Sequence, residues 1–284
     1  MNYKTLSFML LSGLVLLNCT KKATTDDIVD SDVTTVVDNA NIENVFNDVQ
    51  NISDQAAKGS VLYFAPNTTV DSDKYNYSAL KSSCATISHD STSTPKTITI
   101  DFGSSNCLCN DGKNRRGQIN VSYTGKYKDS LSVHSISFTD YYVNDNLVLG
   151  TKTVTNNGRN ADGYLNYSID VNGKLVKANT TDTIEWVSNR TRVWLEGEST
   201  LINWVDDVYS ISGTASGVNS AGISYTAVIT TPLRRALSCY YFDSGVLEIT
   251  PAGKVKRVID FGDGTCDASA TVSIAGYSFP VTMN

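Results

Sequence analysis

The feature that most constrains this chain is an alternation of apolar and polar residues with period two, running from about Ser60 to the C-terminal end. Successive side chains of a strand point to opposite faces, so this period marks strands with one buried face. Ile98, Ile100 and Phe102 alternate with Thr97, Thr99 and Asp101, and Ile119, Val121 and Tyr123 with Asn120, Ser122 and Thr124. Similar runs occupy 146–155, 182–195, 207–216, 223–230, 244–249 and 269–274. Turn residues separate them: Asn144-Asp145-Asn146, Asn172-Gly173, Ala221-Gly222, Pro251-Ala252-Gly253 and Ala275-Gly276. No helical period intervenes, so consecutive strands are expected to pair antiparallel. A dozen or more strands exceed what one flat sheet carries. The expected class is therefore all-β, a long curved antiparallel meander closing partway into a half-barrel or splitting into a sandwich.

One helix is expected ahead of the strands. Ile42, Val45, Phe46, Val49, Ile52 and Ala56 recur at helical spacing, with Asp38 or Asn39 as N-cap and Gly59 as stop. The folded body is thus read as 39–284, a helix plus an antiparallel β domain. Residues 19–38 are rich in Thr, Asp and Val without a period and read as a flexible tether reaching about 25 Å.

The first eighteen residues read as an export signal. Lys4 supplies the positive start, and the apolar run Leu6–Leu17 is broken only by Ser7, Ser12 and Gly13. Its twelve residues fall short of the roughly twenty that a hydrocarbon core of about 30 Å requires. The run ends in Leu16-Leu17-Asn18-Cys19, which resembles the lipobox of Gram-negative lipoproteins. That resemblance implies cleavage before Cys19, acylation of Cys19, and a protein held in the cell envelope, at the outer membrane, through its N-terminal lipid. The periplasmic and surface faces both stay open. Losing Lys4 takes the net charge from −6 to −7. An acidic body without a basic run argues against nucleic acid and against electrostatic docking on anionic lipid.

Export places the remaining cysteines in an oxidising compartment, where pairs form disulfides. An internal echo selects the pairs. Ile100-Asp101-Phe102-Gly103 leads to Cys107, and Ile259-Asp260-Phe261-Gly262 leads to Cys266 with the same spacing. Cys84 and Cys239 precede them at similar distances, which predicts Cys84–Cys107 and Cys239–Cys266. Each would be worth about 3–4 kcal/mol on the chain-entropy view. Cys109 is left over and competes with Cys107 for Cys84. A zinc set drawn from Cys84, Cys107, Cys109 and His89 lacks the usual ligand spacing, so no metal and no cofactor is expected.

Asp-Phe-Gly invites comparison with the kinase magnesium motif, but no glycine-rich loop, strand lysine or catalytic-loop aspartate accompanies it. Its two copies read as strand ends turning at Gly103 and Gly262. His89 and His134 lack a serine in a nucleophile-elbow context, and no spacing singles out a carboxylate pair. The Asn-x-Ser/Thr sequons at Asn51, Asn67, Asn76, Asn120, Asn166, Asn179 and Asn189 read as composition. The most suggestive surface is the strand 182–195, where Trp186, Arg190, Arg192 and Trp194 share one face, continuing to Glu196 and Glu198. Val187, Val193 and Leu195 occupy the other, which is expected to face the core. That would leave a Trp–Arg row outside, either as cross-strand pairs stabilising the sheet or as a binding face for sugar rings or a protein.

Several segments together resemble a family of uncharacterised Gram-negative envelope lipoproteins. They are Thr97 to Gly103 with Cys107, Asp111-Gly112-Lys113-Asn114-Arg115-Arg116-Gly117-Gln118-Ile119, Tyr123-Thr124-Gly125, the stretch from Gly150 to Gly158, and Asp260-Phe261-Gly262 to Cys266-Asp267. The resemblance covers most of the mature chain and implies no activity. The expected role is a non-enzymatic envelope lipoprotein that binds a protein, glycan or lipid or supports the envelope. The alternatives are a lipid-handling half-barrel with the helix over its concave face and, third, a polymer hydrolase.

Overall fold

The computed structural model describes residues 32–58, 84–200, 204–239 and 241–282. Cys19 and the expected tether up to residue 31 lie outside the described residues, as does Gly59. The described chain opens with helix α1 (Thr34–Lys58) and continues in strands. These are β1 (Thr86–Asp90), β2 (Lys96–Asp101), β3 (Cys107–Leu108), β4 (Asn114–Tyr123), β5 (Val133–Val143), β6 (Asn146–Arg159) and β7 (Leu165–Val176). Then follow β8 (Thr183–Glu196), β9 (Val208–Val218), β10 (Ser224–Ala236), β11 (Ser244–Pro251), β12 (Arg257–Asp263), β13 (Ser269–Ile274) and β14 (Tyr277–Thr282).

All strands join one sheet in chain order, except that β3 branches off to pair with β4. Each neighbouring pair is antiparallel, and the path runs from β1 to β14 without closing into a barrel. The sheet curls around α1, which touches β2, β4, β7, β8 and β11. The long meander is therefore a single wrapped layer and not a sandwich. Turn chemistry explains the hairpins. Asn144 and Asp145 both take positive φ (48° and 62°), as do Ala275 and Gly276 (50° and 86°), the geometry of a two-residue turn that matches strand twist.

Asn172-Gly173 is not the turn its composition suggests. Both residues lie inside β7, and Gly173 faces Trp186 of β8 in register. The glycine is there for space: a Cβ at this position would sit 2.2 Å from Cε2 of Phe46. Phe46 thus packs directly against a bare patch of backbone, with Phe138 at 5.9 Å and Trp186 at 6.1 Å between ring centroids.

Helix α1 starts at Thr34, five or six residues earlier than its apolar period suggests. Asp32 caps it, its Oδ1 accepting the Thr34 amide at 2.9 Å. Asp38 and Asn39, expected as caps, lie within the helix and are almost fully buried. Ile42, Phe46, Val49, Ile52 and Ala56 are buried against the sheet, joining Ile98, Ile119, Ile136, Val148, Tyr167 and Ile184 in one core. Each large aliphatic or aromatic side chain there is worth about 1.5–3 kcal/mol by area.

The echoed cysteines pair as the spacing suggests. Cys84 and Cys107 are joined with Cα atoms 5.5 Å apart, and Cys239 and Cys266 with Cα atoms 5.7 Å apart, both inside the normal range. Cys109 is a buried free thiol. The local cause of the echo is a repeated aspartate turn. Asp101 Oδ1 accepts the Gly103 amide at 2.8 Å, and Asp260 Oδ1 accepts the Gly262 amide at 2.9 Å. The staples do not cross adjacent paired strands: Cys84 precedes β1, Cys107 opens β3, and the second pair joins the β10–β11 and β12–β13 loops.

Gly173→Ala should destabilise the protein by about 1–3 kcal/mol, because the methyl collides with the Phe46 ring. In a double-mutant cycle read by urea unfolding, Phe46→Ala should remove most of that penalty. Additive effects would show that the two residues do not touch.

Candidate functional site

The geometry is clearest along β8. Ile184, Trp186, Ser188, Arg190 and Trp194 are buried, while Glu185, Val187, Asn189, Thr191 and Leu195 are exposed. The Trp–Arg row is therefore the inner face, under α1, and the valine face is the outer one, the reverse of the orientation its hydropathy suggests. The reason is that α1 brings polar partners. Asn39 Oδ1 accepts from Trp186 Nε1 at 3.1 Å and from Tyr225 OH at 3.3 Å. Glu43 Oε1 lies 3.6 Å from Arg190 Nη2. Arg192 sits among the rings of Tyr209, Tyr167 and Tyr127, at 4.8, 5.2 and 5.6 Å from their centroids. Trp194 packs on Tyr209 at 5.4 Å and carries Lys128 over its ring at 4.6 Å.

Other charges pin α1 along its length. At its first turns Asp32 pairs with Lys254, and Thr35 Oγ1 accepts from Asn219 Nδ2 at 2.9 Å. Asp38, buried, takes the amide and hydroxyl of Ser220 at 2.8 and 2.6 Å and the Lys177 ammonium at 2.7 Å. Midway, Arg115 is completely buried between Asp48 at 2.8 Å and Asp111 at 2.6 Å, with Lys113 also on Asp48 at 2.7 Å. Burial alone would weaken the Arg115 charge; Asp111 and Asp48 reverse that and hold its pKa above the usual value. Lys152, also buried, donates to the Phe46 carbonyl at 3.1 Å, and burial brings its pKa down to about 8.

Among the described residues, one histidine lies against aromatic rings and the other on a sheet edge. His134 is stacked on Tyr123 at 5.8 Å and meets Tyr127 edge-on at 5.3 Å. His89 lies on β1, at the edge of the sheet. Cys84 and Cys107 are consumed by their disulfide and so cannot serve with Cys109 as thiolate ligands. Among the described residues no set of three or more His, Cys, Asp or Glu converges as a metal site. The inner face, where a carried acyl chain would have to lie, is occupied by α1. An open surface cleft of about 510 Å³ lies beside the end of β8, lined by Asp162, Tyr164, Trp194, Leu195, Glu196 and Glu198 among others. Glu198 there is held by Arg159 at 2.6 Å.

The outer face has a different character. One row across consecutive strands β4 to β10 reads Asn120, Ser137, Thr151, Asn172, Val187, Ser216 and Thr226 in strict register. The next row reads Ser122, Ser135, Thr153, Asp170, Asn189, Thr214 and Val228. Charges sit mainly toward the strand ends, as in the Lys174–Glu185 pair at 3.1 Å. Several amides are held in place: Asn189 Nδ2 donates to Asp170 at 2.6 Å, and Asn157 Nδ2 to Ser168 at 2.9 Å and Asn166 at 3.1 Å. No helix or second sheet among the described residues covers this face.

Comparison with known proteins adds no relative: no family model, curated protein or solved structure matches the chain.

His134 makes stability depend on pH. Burial lowers its pKa to about 4 from an ordinary 6.5. Between those values the unfolded chain takes up a proton that the folded chain refuses. Stability present above pH 6.5 is therefore lost as pH falls to 4, by about 3 kcal/mol in all. Urea midpoints across this window should fall more steeply for the wild type than for His134→Gln. Equal slopes would mean that His134 is protonated in the folded state.

Proposed function

We propose that this chain is a lipid-anchored protein of the bacterial envelope, held at the outer membrane through Cys19, whose folded body binds or supports and does not catalyse. The supporting observation is that the side chains best suited to chemistry are committed to holding the fold together. Trp186 and Arg190 meet α1, Arg192 lies among tyrosines, Arg115 lies between two aspartates, and His134 lies between rings. What the body offers outward is the neutral strand face. A lipid carrier would require α1 to leave the inner face, and leaving would strand Asp38, Glu43 and Asp48 away from their cations.

The anchor is tested by labelling cells with an alkyne fatty acid. The wild type should carry the label and sediment with membranes, and Cys19→Ser should lose the label and accumulate as unprocessed precursor. A wild-type protein that is cleaved, unlabelled and released would contradict the proposal.

A further inference from the structure

We infer that the outer face of strands β4 to β10 is a docking surface for a neutral, hydroxyl-rich polysaccharide; the inference rests on the binding reading above. The middle of this face is a grid. Neighbouring strands stand about 4.8 Å apart and same-face residues about 6.8 Å apart along a strand, so hydrogen-bonding groups repeat in two directions. The groups are those of Ser, Thr and Asn, each both donor and acceptor, as sugar hydroxyls are.

Charge narrows the partner further. Within the two rows Asp170 is the only acidic or basic side chain, and it is already bonded by Asn189. Such a surface offers nothing to phosphate backbones or anionic bilayers, whose binding depends on basic clusters. Val187, Val228 and, toward the strand ends, Leu149 and Leu195 are exposed apart from one another, so the face lacks the contiguous apolar centre of a protein interface. The amides fixed by Asp170, Ser168 and Thr139 are already ordered, which lowers the cost of using them. With no aromatic platform in the rows, each contact is weak, and retention comes from many contacts along an extended polymer.

The test uses the full-length protein in detergent with suspensions of cellulose, chitin and cross-linked dextran. At least one should retain the wild type, and 1 M NaCl should leave retention intact because the contacting groups of the rows are neutral hydroxyls and amides. Thr151→Lys with Ser216→Lys places long charged chains in the row on strands that are not neighbours; it should cut retention about tenfold without moving the melting temperature. Val255→Lys, in the β11–β12 turn, should retain normally. The inference is overturned if no polymer retains the wild type, if salt abolishes retention, or if the two-lysine variant binds as well. It is also overturned if that variant loses only self-association of the chain. Acylated protein that fails to bind any polymer would refute this inference and leave the envelope anchor standing.

Discussion

A sheet this long holds together only if one of its faces is kept from water, and here that work falls to α1. Phe46 lies on the bare backbone of Gly173, Ile42, Val49, Ile52 and Ala56 fill the trough, and strands from β2 to β11 bend to meet them. The curvature follows from this packing. A flat sheet would leave most of the inner isoleucines and tyrosines exposed, and two sheets would need a second apolar face that the polar outer rows do not provide.

Packing alone would let a helix slide or rotate in such a trough, because apolar contact is not directional. The buried ion pairs remove that freedom. Asp38 meets Lys177 and Ser220 near one end, Glu43 meets Arg190, and Asp48 meets Arg115 midway. Each pair contributes little net stability compared with an apolar substitute, but breaking one leaves an uncompensated charge and costs about 3–5 kcal/mol. The pairs therefore define one register of helix on sheet. The disulfides act elsewhere, closing loops toward the two ends of the sheet path.

Much of this was legible in the sequence, and the misreadings have physical causes. The period of two located β2, β4, β6, β8, β9, β10, β11 and β13, and the Ile-Asp-Phe-Gly echo before Cys107 and Cys266 selected the disulfides. Three features were hidden because they depend on α1. The β8 faces were inverted, since Trp and Arg turn inward only when Asn39 and Glu43 wait above them. The helix start was placed late because Thr35, Asp38 and Asn39 are polar residues on a buried face. Gly173 read as a turn because its use, room for an aromatic ring from a distant segment, leaves no local trace.

α1 and the sheet form one cooperative unit, with the helix an integral part of the core. Native-state hydrogen exchange tests it directly. Amides of Phe46, Val49 and Ile52 should exchange only through the same opening as those of Ile184, Trp186 and Ser188 in β8, with matching free energies and denaturant dependence. If the α1 amides instead exchange about a hundredfold faster or more while β8 stays protected, the helix leaves the sheet on its own and the account is wrong.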